Sequence, residues 1–181
     1  MWKLVTHPVS QRTDLVAPPV AAALAAWPGP TPVDKLFVAE IDPELADTAN
    51  CAAAYAVPME ASANCVVISG KRGGTTTMAA CVVLATTRAD VNGTVRKRLG
   101  ARKASFAPQQ EAVEVTGMEY GGITPVGLPA DWPLLVDAAV IDQPYVLIGS
   151  GLRRSKLAVP GAVLAELPNA EVVKDLAQPV E

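Results

Sequence analysis

Two β-branched apolar runs constrain this chain more than any other feature. Residues 65–70 read CVVISG, residues 78–87 read MAACVVLATT, and only KRGGTTT lies between them. Runs of this kind around a glycine-bearing spacer are expected to pair as an antiparallel hairpin, here with a basic loop. The flanks decide how that hairpin is covered. Residues 35–41 (KLFVAEI) read as a strand, and Asp42-Pro43-Glu44 is placed to start a helix over 44–57, rich in Ala and Leu. Asp90 is placed to cap a helix over 91–99, with Gly100 just past its end. Residues 102–107 read as a strand, and Pro108 opens a helix that stops at Gly117. Strands follow at 134–137, 145–150 and 155–159, and Pro160 opens a last helix, GAVLAEL. Hairpins mixed with helices predict an α+β fold rather than a doubly wound parallel sheet.

The chain has 181 residues, which at about 150 per domain is one domain with an extension. Residues 1–33 hold six of the 16 prolines, with a short helix expected after Pro18-Pro19 and a loop at GPTP. They are expected to form a Pro/Ala-rich N-terminal extension lying on a main domain at 34–181. No run reaches 18 apolar residues, so no membrane partner is expected. The N-terminus lacks an apolar signal segment, and three cysteines at 51, 65 and 81, with no CxxC, suit a reducing compartment. The expected location is the cytoplasm.

The single histidine, His7, lies beside Pro8. Mechanisms that need a histidine base have no good candidate, and histidine-rich zinc sites are excluded; no metal or cofactor is expected. Charge is segregated along the chain. Between residues 61 and 110, eight basic side chains stand against Asp90 alone, while 111–150 carries six acids and no base. A local excess of positive charge suits a phosphate-bearing partner, although a solvated surface accounts for it equally well.

The obvious short motifs are weak. Gly70-Lys71-Arg72-Gly73-Gly74 lacks P-loop spacing and joins two strands. Gly149-Ser150-Gly151 has Arg154 where a dinucleotide fingerprint needs its third glycine. Glu111 and Glu114 read as a solvated helix face, and Cys65 and Cys81 as buried small hydrophobes. Met118 and Tyr120, beside the glycine-rich 118–129 segment, suit either a pocket wall or the core.

Order along the chain says more. TGMEYGGITPVGLP (116–129), WPLLVD (132–137), YVLIGSGLRRSKL (145–157) and AEVV (170–173), with DTANCAAAYAVP (47–58), NCVVISGKRGG (64–74) and RKRLGARKASFA (96–107) upstream, resemble the YbaK-type aminoacyl-tRNA editing family. That family includes free-standing deacylases and the editing insertion of bacterial prolyl-tRNA synthetases. The resemblance implies one domain around a curved, mainly antiparallel mixed sheet. It implies hydrolysis of the ester between a mischarged amino acid and the tRNA 3′ end, with the tRNA acceptor end as partner and an aminoacyl-tRNA synthetase as a possible second.

The same resemblance implies the site. Gly121, Gly122, Gly149 and Gly151 would frame the reacting ester, with Thr124, Pro125, Ser150, Met118 and Tyr120 around the substrate. Lys71, Arg72, Arg96, Arg98, Arg153, Arg154 and Lys156 would bind acceptor-stem phosphates. The departure is Asn64, which stands where the family has a lysine just before the apolar strand; its amide can donate and accept hydrogen bonds but carries no charge. Asn64 is expected to line the pocket and orient substrate. Three readings stay open: an editing deacylase, a tRNA-binding relative that has lost catalysis, and a hydrolase of a small aminoacyl ester.

Overall fold

The computed structural model describes residues 1–180. In chain order it contains β1 (Thr6–Pro8), α1 (Pro18–Ala25), β2 (Phe37–Glu40), α2 (Thr48–Tyr55), β3 (Ala63–Arg72), β4 (Thr75–Leu84) and β5 (Thr87–Ala89). Then come α3 (Arg96–Arg98), β6 (Lys103–Phe106), α4 (Gln109–Thr116), β7 (Leu134–Asp137), α5 (Ala138–Ile141), β8 (Val146–Gly149), β9 (Ser155–Val159), β10 (Ala170–Val173) and β11 (Ala177–Pro179).

The central hairpin forms, and its turn is tighter than the seven-residue loop expected. Gly73 takes φ +60, so Gly73-Gly74 alone reverses the chain and Lys71, Arg72 and Thr75–Thr77 join the strands. β3 and β4 sit inside a five-stranded mixed sheet of order β10-β7-β4-β3-β6, in which β7 runs parallel to both β10 and β4. A second sheet, β1-β2-β9-β8, is antiparallel throughout, and β5 pairs with β11 as a separate ribbon. The fold is α+β with mostly antiparallel pairing.

The two larger sheets enclose the main core. Val67, Ala80, Val82 and Val136 from one meet Val38, Ile148, Leu157 and Val159 from the other. Their outer faces are buried too: α2 covers Ala39, Leu147 and Ala158, while Val95 and Leu176 pack with Ile68, Cys81, Val83 and Leu135. Burial on both faces explains why β4 and β7 read as unbroken apolar runs rather than alternating ones. Residues 1–33 take part in this core: β1 extends the second sheet, and Val9, Leu15 and Val20 are fully buried.

Two expected helices differ. The segment 44–57 splits, because Asp42 caps a single 3-10 turn at Pro43–Leu45 and Asp47 caps a new helix, α2, at Asn50 N. After Pro160 the chain forms a 3-10 helix, Gly161–Glu166, whose first residue lies against the backbone carbonyls of Val140 and Gln143. α4 ends as expected at Gly117, φ +67.

Candidate functional site

β6 pairs with β3 only from Ile68 to Lys71, which leaves the first half of β3 with an open edge. A lone parallel bridge between Ser62 and Leu147 brings β8 alongside that edge. The gap between them is a cavity of about 390 Å³. Its walls are the start of α2 (Asp47, Thr48, Cys51), the start of β3 (Ser62 to Val66), the loop at Tyr120, Gly121 and Ile123, the end of β8, and Lys156.

Asn64 lines this cavity, half-buried, and its Oδ1 accepts a 2.7 Å hydrogen bond from Thr48 Oγ1. The amide is thereby oriented, with Nδ2 left as the donor for an occupant. The glycine loops are stitched to one another. Gly151 N donates to Gly122 O at 2.7 Å, Gly122 N to Glu119 O at 2.9 Å, and Glu119 N to Gly151 O at 2.8 Å. A Cβ on Gly149 would lie 2.5 Å from Gly122 O and 2.6 Å from Ile123 O, so only glycine lets these backbones meet.

This stitching divides the residues expected at the site. Gly121, Gly149, Tyr120 and Asn64 line the cavity. Gly122 and Gly151 do not: their N–H groups are consumed inside the loops, and a Cβ on Gly151 would lie 2.4 Å from Ala17 Cβ. Ser150 and Thr124 are fully buried, with the Ser150 hydroxyl bonded to Ser155. Met118 is a core residue whose sulfur accepts from Thr124 N. Pro125 lines a separate apolar cavity of about 200 Å³ with Trp27 and Trp132.

The basic residues divide as well. Lys71 and Arg96 line an open groove of about 430 Å³ with Arg102 and Lys103, and Lys71 stands directly opposite Lys103 across β3 and β6. Seven residues of strand at about 3.3 Å each put that groove roughly 23 Å from Asn64. Arg72 bonds Gly100 O at 3.0 Å, and Arg98 pairs with Glu171. Arg153 donates to Pro43 O at 3.0 Å and Tyr120 O at 3.3 Å, while Arg154 donates to Asp14 O. Lys156 is only 9% exposed and sits in the cavity wall. Burial pushes its ammonium below the ordinary lysine value, and Arg153 acts in the same direction against Cys51 and Asp47. Burial pushes the Cys65 and Cys81 thiols up, which suits inert thiols rather than nucleophiles; Cys81 is a core residue, while Cys65 is half-buried and borders the cavity.

The cavity residues that sequence reasoning missed include Asp47, Thr48, Cys51, Ser62 and Cys65, the last of which it assigned to the core. Asp47-Thr48 carried a signal, since an Asp-Thr pair before an Ala-rich run is a helix start. Nothing in the string showed that this start would face Asn64.

The aminoacyl-tRNA editing domain family matches the chain over residues 42–167, in accord with the resemblance drawn from its motifs. Among solved structures the chain is similar to a candidate trans-editing enzyme for prolyl tRNA synthetase: 23% identity, 90% of this chain and 99% of that one covered, TM-score 0.72. It is similar to the hypothetical protein APE2540, at 23% identity over 78% of this chain and 90% of that one, TM-score 0.69. A chain from work on grafting epitopes onto scaffold proteins gives 23% identity, 90% and 97% coverage and a TM-score of 0.72. At this identity the likeness is one of fold. No curated protein matches the sequence.

Proposed function

Since this chain belongs to the aminoacyl-tRNA editing domain family, we propose that it is a deacylase of the YbaK type, acting in trans in the cytoplasm on mischarged tRNA. Water attacks the carbonyl carbon of the aminoacyl ester, and the carbonyl π electrons move onto oxygen. Collapse of that oxyanion breaks the bond to the ribose oxygen, which takes up a proton. The products are the free amino acid and a tRNA with its 3′-terminal hydroxyl restored.

The observation that carries this reading is the cavity bounded by Asn64, Gly121 and Gly149. It lies at an open strand edge, its volume of about 390 Å³ is in the range of small-molecule sites, and the Asn64 amide in its wall is held by Thr48. An aminoacyl ester is already activated, so orientation and charge stabilisation carry most of the acceleration and no histidine is required. The groove at Lys71, Arg96, Arg102 and Lys103, roughly 23 Å along β3 from Asn64, would take acceptor-stem phosphates.

A second reading, tRNA binding without turnover, draws support from the uncharged Asn64 and from loop amides already consumed at Gly122 and Gly151. One experiment separates the two: retention of tRNA and release of labelled amino acid, measured together on a panel of mischarged tRNAs. Release above the buffer rate for at least one substrate supports the deacylase. Retention without release supports the binding reading.

A further inference from the structure

Lys156 is a buried cation without a partner. Its position follows from register: it stands opposite Ala39 on β2 and Gly149 on β8, and directly opposed residues of antiparallel strands share a face. Small neighbours on both sides leave room for a long stem to lie across the sheet, under α2, and to reach the cavity that Asn64 borders from the other wall. Lysine at such a depth ordinarily snorkels to water or finds a carboxylate. Lys156 instead ends at the cavity, with no carboxylate within ion-pair distance among the described residues. It is 9% exposed, and among the described residues it makes no ion pair and no hydrogen bond. Asp47, the acid in the same cavity wall, accepts from Asn50 as the cap of α2 and forms no ion pair with Lys156; its charge acts on Lys156 only through space. Burial pushes the Cys51 and Cys65 thiols of the cavity up, so neither supplies a thiolate to balance it at neutral pH.

An ammonium in a cavity wall with no ion-pair partner is costly, and an anion arriving there relieves that cost. Two of the loop amides, those of Gly122 and Gly151, are bonded internally and cannot take its place. We infer that Lys156 is the catalytic electrophile of this site, its ammonium bonding the carbonyl oxygen of the ester as that oxygen becomes an oxyanion. This rests on the deacylase reading above. In the attack, the electron pair leaving the C=O π bond comes to rest on the oxygen facing Lys156. It returns when the ribose oxygen departs with a proton, and Lys156 neither gains nor loses one. The positive charge missing at position 64 is thus supplied from β9, across the cavity.

The test compares wild type with Lys156→Met and Lys156→Arg, using two adenosine ligands. One carries a phosphonate at the 3′ position, a tetrahedral anion resembling the oxyanion; the other carries an uncharged 3′-aminoacyl amide. The expected result is a loss of about 100-fold in phosphonate affinity for Lys156→Met, in line with the loss of an oxyanion donor. The amide should change less than threefold, and Lys156→Arg should recover part of the loss. The melting temperature of Lys156→Met should not fall, since the exchange removes a buried unpaired charge. Equal losses for both ligands, unchanged phosphonate affinity, or no phosphonate binding by wild type would each overturn the inference. If wild type releases amino acid from no mischarged tRNA yet binds the phosphonate through Lys156, the deacylase reading fails and Lys156 stands as an anion site. If a mischarged tRNA is hydrolysed and Lys156→Met turns it over at the wild-type rate, the deacylase reading stands and the inference fails.

Discussion

Thr48 Oγ1 donates to Asn64 Oδ1 at 2.7 Å, joining the first turn of α2 to the first residues of β3 across the floor of the cavity. The bond decides which end of the amide meets an occupant. Asn64→Ala removes the donor and should lower kcat about tenfold, the equivalent of roughly 1.4 kcal/mol for one lost hydrogen bond. Thr48→Val keeps Asn64 but frees its amide to rotate, and should cost a smaller factor, about threefold. Both variants should keep the wild-type melting temperature within a few degrees, because both side chains border the cavity rather than the core. Single-turnover deacylation and thermal melting check this; a Thr48→Val variant slower than Asn64→Ala would reverse the assigned order.

Gly149 is predicted to tolerate no side chain. In Gly149→Ala the new Cβ would meet Gly122 O and Ile123 O at 2.5 and 2.6 Å, and backbone cannot swing aside as a side-chain tip can. Overpacking of this kind costs about 1–3 kcal/mol. Gly74→Ala is the matched control, since nothing lies within 4 Å of its Cβ position, and it should shift stability by less than about 0.5 kcal/mol. Denaturant unfolding of the two variants gives the comparison.

How far the string of residues foretold this arrangement depends on the range of the forces involved. The β3–β4 hairpin, the end of α4 at Gly117 and the cap at Asp90 were legible, because β-branched runs, a positive-φ glycine and an N-cap act over a few residues. The three-residue strands β1, β5 and β11 were not, since so short a segment has no periodicity and takes its state from its partner. Asn64 and Gly149 could be placed at the site through motif order. Lys156 could not: beside Arg153 and Arg154 it reads as surface charge, and only the register of β9 shows that it turns inward while the two arginines bind backbone carbonyls. Ser150 and Met118 fail for the same reason, as adjacency in sequence does not say which face is buried.

Stability should vary with pH through Lys156. Its value in the folded protein is lowered, chiefly by burial, so the folded state holds that proton less tightly than the unfolded chain. Below the lowered value both states are protonated and the full penalty is present. As pH rises from the lowered value towards the ordinary 10.5, the folded state releases its proton first and this penalty fades. Lys156→Met should therefore melt above wild type at pH 7, with the gap closing as pH approaches 10. Melting curves at pH 7 to 10 test it, and a gap that widens with pH contradicts it.

Lys71 and Lys103 face each other directly across β3 and β6, a like-charge pair that costs stability. Lys103→Gln should raise stability slightly, by about 0.2–1 kcal/mol, while weakening tRNA binding. Its effect on binding should appear as a salt slope shallower by about 0.7–0.9 per cation removed, and Arg96→Gln should add a similar step. Filter binding at several salt concentrations measures the slopes; an unchanged slope in the double variant would remove this groove from the tRNA path.

Deacylation itself is the most direct measurement of the central claim. A panel of tRNAs, each carrying a labelled non-cognate amino acid, is incubated with the wild-type chain and with Asn64→Ala, and release of the label is timed against buffer. The account predicts that wild type clears at least one mischarged tRNA well above the buffer rate, leaves the correctly charged form of that tRNA largely intact, and is about tenfold faster than Asn64→Ala. Release at the buffer rate across the whole panel, or equal rates for the two proteins, would contradict it.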